Sequence, residues 1–136
     1  MCAKSAKRKV LVIDDDIYIA EMIKDGLELK GYEVEIATTG KDGIDKAFRC
    51  KPSIITLDLN MPGMTGFEIL KKLKSDYSTK DIPIFILTVV DEKKSLNEAF
   101  LLGAKEYIVK PFSLMNLRSL IEDNYDENTS FNPLVN

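Results

Sequence analysis

The chain has 136 residues, 45% hydrophobic and 30% charged, which suits one domain with an ordinary buried core and excludes wholesale disorder. A net charge of -3 and the absence of histidine exclude a His general base, a Ser-His triad and His-ligated zinc. They also argue against direct nucleic-acid binding by bulk charge.

Apolar runs are only strand-sized, so neither a signal peptide nor a membrane span is expected. Cys2 and Cys50 form no C-x-x-C, and as isolated thiols they point to a reducing, cytoplasmic setting. Residues 1–7 read as a solvated tail whose basic cluster (Lys4, Lys7, Arg8, Lys9) leads into the first strand.

Val10-Leu11-Val12-Ile13 predicts that strand. Ile19, Ile23 and Leu27 then recur every fourth residue as a helix, which Gly31 stops. Val34 to Ala37 predicts a second strand, and Ile44, Ala47 and Phe48 a second helix ended by Pro52. Ile54-Ile55-Thr56-Leu57 is followed by the helical spacing of Phe67, Leu70 and Leu73. Ile84-Phe85-Ile86-Leu87 precedes a helix through Leu96, Ala99 and Phe100 to Gly103. Tyr107-Ile108-Val109 precedes the last helix, through Leu114, Leu117 and Ile121. Leu96, Phe100 and Leu102 are expected mostly in the core. The domain is expected over residues 8–124, with residues 125–136 as a polar tail.

Five strand-helix pairs in strict alternation imply an α/β fold, a doubly wound parallel sheet with helices on both faces. Ligands of such sheets gather outside the carboxyl ends of the strands. There the sequence places Asp14, Asp15 and Asp16 after the first run, and Asp58 and Asn60 after the third. Thr88 ends the fourth, and Lys110 and Pro111 follow the fifth. Carboxylates brought that close need a cation or a raised pKa. An all-oxygen set without His or Cys points to Mg²⁺ rather than zinc or copper. Metal, lysine and hydroxyl around a free carboxylate are the parts that phosphoryl transfer to an aspartate requires.

VIDDD (Val12 to Asp16), ITLDLNMPGMTG (Ile55 to Gly66), FILT (Phe85 to Thr88) and YIVKPF (Tyr107 to Phe112) resemble the receiver domains of two-component response regulators. The resemblance covers roughly residues 8 to 124 and implies a flavodoxin-like five-stranded sheet in the order 2-1-3-4-5. It makes Asp58 the phosphoacceptor for a histidine kinase or phosphotransfer protein. Mg²⁺ would lie on Asp15, Asp58 and the backbone carbonyl of Asn60, with Asp14 acting through water. Lys110 would pair with Asp58 and then with the phosphate. Thr88 would bind the phosphate, Tyr107 would swing as Thr88 moves, and the Lys110-Pro111 bond would be cis. The chain would then be a signalling switch with slow self-dephosphorylation, not a turnover enzyme. Its downstream partner or output domain is unidentified, and homodimerisation through the face of the fourth and fifth helices remains open.

Blander readings stand beside these. Asp16 reads as a helix N-cap, Gly63 as a turn residue and Gly66 as a close-packing residue. Val89, after Thr88, is bulkier than the small residue usual in the family, and Val90 is apolar; both bear on rates. One rival is a pseudo-receiver that only binds proteins. The other, a Mg²⁺-dependent phosphohydrolase, is weakened by Asn60 standing where its second carboxylate would be.

Overall fold

The alternating runs become strands β1 (Lys9–Ile13), β2 (Glu33–Ala37), β3 (Ile54–Leu57), β4 (Ile84–Thr88) and β5 (Glu106–Val109). Between and after them lie α1 (Ile17–Glu28), α2 (Gly40–Cys50), α3 (Gly66–Ser75), α4 (Lys93–Leu101) and α5 (Leu114–Ser130). The computed structural model describes residues 8–130, with side chains through residue 125. All strand pairs are parallel, in the order β2-β1-β3-β4-β5. Every residue of β3 and β4 is buried, which is why those runs lack polar alternation.

Two apolar layers sandwich the sheet. Leu11, Ile13, Ile55 and Leu57 pack against α2 and α3, with Ala99 of α4 in the same layer. Val10, Val12, Ile54 and Phe85 face α1 and α5 on the other side. Helix starts are fixed by side chains: Asp16 accepts from the Tyr18 and Ile19 amides, and Thr65 with Glu68 forms a reciprocal capping box on α3. Gly31 and Gly103 take positive φ after α1 and α4, where a Cβ would be strained. The start of α4 carries no side-chain cap.

Three expectations are corrected. The last helix does not fade near Asn124 but runs to Ser130, because Tyr125 is buried at its inner face. That ring lies 5.7 Å from Tyr32 and beneath the guanidinium of Arg8, 4.3 Å from its centroid. Arg8 and Lys9 lie within the expected domain, whereas residues 1–7 and 131–136 lie outside the described residues. Phe100 is exposed and Leu96 half-buried, since the short helix α4 turns only Ala99 fully into the core. Cys50, expected as an isolated thiol, is disulfide-bonded. Among the described residues no helix is long and apolar enough to cross a membrane.

Candidate functional site

Parallel strands bring their carboxyl ends to one rim, and the strand order reverses between β1 and β3. Asp14 and Asp58 sit one residue past those two strands. Their amides extend the ladder, Asp14 N–H donating to Ala37 O and Asp58 N–H to Ile13 O, both at 3.0 Å. The two carboxylates are therefore fixed by backbone, and both residues are buried, at 2% and 6% exposure. From the far side, the Lys110 amide donates to Thr88 O at 2.8 Å, and the Lys110-Pro111 peptide is cis.

The Lys110 ammonium bridges the pair, 2.6 Å from Asp14 Oδ2 and 3.1 Å from Asp58 Oδ2. The other carboxylate oxygens accept backbone amides: Asp14 Oδ1 from Asp16 N–H at 2.9 Å, Asp58 Oδ1 from Asn60 N–H at 3.0 Å. Asp15, exposed at the rim, brings a third carboxylate, and oxygens of all three lie within 4.8 Å of one another. Three carboxylates thus share a rim where Lys110 is bonded to only two of them, and the pocket keeps an excess of negative charge. Burial pushes the Asp14 carboxyl above its ordinary range, against the pull of Lys110 and the Asp16 amide. Burial works to lower the Lys110 ammonium, but its bond to Asp14 and the charges of Asp14 and Asp58 win and hold it above the usual lysine range.

Thr88 is fully buried, and its Oγ1 accepts a long bond from Val90 N–H at 3.4 Å. Tyr107 donates its hydroxyl to Val90 O at 2.7 Å, so its ring stands inward, against the β4–α4 loop. The Val90 peptide is therefore held by Thr88 on one side and Tyr107 on the other. Between them Val89 points out, 59% exposed. Gly66 closes the floor: a Cβ there would meet Asp58 O and Leu59 Cα at 2.5 Å. Only glycine lets α3 start that close to the Asp58 backbone.

Asp14, Asp15, Asp58 and Lys110 thus come together, and Thr88 and Tyr107 are linked through Val90. What the sequence reading missed is an apolar margin. Ile17, Tyr18 (85% exposed), Met22 and Leu114 line a groove of about 710 Å³ between α1 and the start of α5, beside the acidic rim. The signal was legible: Tyr18 and Met22 fall off the Ile19-Ile23-Leu27 stripe, on a face that should be polar. Gly26 makes the groove's floor, because a Cβ there would fall 2.4 Å from Leu114 Cδ2.

Comparison with known proteins agrees with this geometry. The family described as response regulator receiver domain matches residues 10–122. The DNA-binding dual master transcriptional regulator RpaA of Synechocystis is 36% identical over 106 residues, 78% of this chain. The chain spans less than half of that regulator, 44% of its length. Chemotaxis protein CheY4 of Vibrio cholerae superposes with a TM-score of 0.82 at 36% identity, over 87% of this chain and 98% of its own. A CheY-like receiver domain protein from Methanospirillum hungatei gives a TM-score of 0.85 at 30% identity, over 90% and 96%. With its sheet order, acidic rim and lysine in place, the chain belongs to the response regulator receiver domains of two-component systems.

Proposed function

We propose that this chain is a phosphorylation-dependent switch in which Asp58 accepts a phosphoryl group from a partner histidine kinase or phosphotransfer protein. The observation that carries the reading is the Asp58 carboxylate itself. One oxygen is held by the Asn60 amide and the other by Lys110, beside two further carboxylates. An Asp58 oxygen attacks phosphorus as the phosphorus–nitrogen bond of the donor breaks, and the electron pair leaves with the imidazole nitrogen, which takes a proton. Lys110 keeps its charge throughout and moves from carboxylate to phosphoryl oxygen.

The all-oxygen donor set fits Mg²⁺, with no nitrogen or sulfur to favour a softer metal. Asp15, Asp58 and the Asn60 carbonyl would hold the ion, with Asp14 reaching it through water. When bound, it neutralises the excess carboxylate charge and that of the incoming phosphoryl group.

Thr88 transmits the event. Its hydroxyl accepts from Val90 and keeps its own hydrogen for a phosphoryl oxygen. As Thr88 turns to the phosphate, the Val90 peptide and Tyr107 follow, and the uncapped start of α4 yields easily. The face of α4, β5 and α5 is thereby biased between two arrangements, and a downstream protein reads the difference. The chain's charge gives no support for direct DNA contact, so RpaA's DNA binding is not carried over. The apolar groove of Tyr18, Met22 and Leu114 suits a protein donor, and with a histidine kinase as partner a cytoplasmic location is inferred.

Phosphoramidate carries the phosphorus–nitrogen bond of phosphohistidine and tests the acceptor directly. With Mg²⁺ it should label the wild type and leave Asp58→Ala unlabelled; equal labelling of both would sink the assignment.

A further inference from the structure

Among the described residues β2 is an edge strand, paired only with β1. Glu33 N–H donates to Arg8 O and Ala37 O accepts from Asp14 N–H, so residues 33, 35 and 37 turn their peptide groups inward to β1. By alternation Val34 and Ile36 turn theirs outward, where another strand would pair. Both outward carbonyls are already occupied. Lys24 Nζ, from α1, lies 3.1 Å from Val34 O, and Lys46 Nζ, from α2, lies 2.6 Å from Ile36 O.

Neither ammonium is a loose surface group. Lys24 is also held by Glu28, one turn on, at 2.9 Å, and Lys46 by Asp42, one turn back, at 3.2 Å. Because α1 and α2 pack on opposite faces of the sheet, the edge is clasped from both sides. Exposed edges are templates for strand addition, and lysine is effective against it because pairing would desolvate its charge. A two-fold pairing of β2 with β2 would bring the same strand, Glu33-Val34-Glu35-Ile36-Ala37, from both copies edge to edge.

We propose that Lys24 and Lys46 close the β2 edge against strand addition by a second copy of this chain. The lysines act as a lock on the sheet and leave association to other surfaces.

The test replaces both ammoniums while keeping most of the aliphatic stems, as Lys24→Met/Lys46→Met. Sedimentation over a range of concentrations is combined with hydrogen exchange at the Val34 and Ile36 amides. The variant should form a reversible dimer in which exchange at both amides slows, while the wild type shows no concentration-dependent protection there. Lys24→Arg/Lys46→Arg, which keeps the donors, should behave as the wild type. A folded methionine variant with no added protection of β2 at any concentration overturns the proposal, whether it stays monomeric or dimerises elsewhere. Should the double variant fail to fold, Lys46→Met alone decides in the same way, since it frees the carbonyl with the shorter bond.

Discussion

Asp14 meets two opposed demands, burial beside a second carboxylate and retention of a charge for the site. Its carboxyl is raised above the ordinary value of 3.8 chiefly by burial, so the folded chain keeps that proton to higher pH than the unfolded chain. The associated stability is complete below the ordinary value and is lost as pH rises through the folded one. Asp14→Asn lacks this loss. In Mg²⁺-free buffer, urea unfolding from pH 3 towards 7 should show the wild type losing stability relative to the variant; a constant gap would contradict the account. Gly66 illustrates function constraining packing. Gly66→Ala places a methyl 2.5 Å from Asp58 O, so backbone must move. The change should cost about 1–3 kcal/mol, as overpacking does, and slow labelling of Asp58 as well. Unchanged stability and labelling would mean the floor has slack.

At the scale of elements, stability comes from caps and from burial at helix ends. Thr65→Ala removes one half of the capping box on α3 and should cost about 1 kcal/mol, measured by denaturant midpoint. Tyr125→Ala should cost about 3–5 kcal/mol and speed amide exchange in the last turns of α5. An unaffected α5 would show that its end does not depend on the Tyr32 and Arg8 contacts. This end was also the least legible part of the sequence. The strands announced themselves because a strand covered on both faces needs an unbroken apolar run, as Ile84 to Leu87 provides. The end of α5 rests on one aromatic residue among polar ones, packed against residues distant in sequence. Periodicity cannot register such a contact. Phe100 failed for the opposite reason: its spacing is helical, yet a nine-residue helix over a sheet edge buries only a narrow stripe.

Across the whole molecule, the parallel sheet is what converts scattered residues into a site. Asp14, Asp58, Thr88 and Lys110 were legible as a group because each follows an apolar run. Their pairings were not, since the sequence cannot show that Lys110 bridges two carboxylates or that Thr88 and Tyr107 share the Val90 peptide. On the proposed reading, a cation bound at the charged rim would couple to folding. Mg²⁺ at a hundred times its dissociation constant should stabilise the wild type by about 2.7 kcal/mol, and Asp15→Asn should lose most of that gain in thermal melts. Equal stabilisation of both would place the ion elsewhere.

The central claim is that Asp58 is the phosphoacceptor of a metal-dependent receiver. Intact mass after incubation with Mg²⁺ and acetyl phosphate tests it most directly. The account predicts one phosphoryl adduct on the wild type, lost with chelator and absent from Asp58→Ala. An adduct that persists in Asp58→Ala, or forms equally without Mg²⁺, would contradict it.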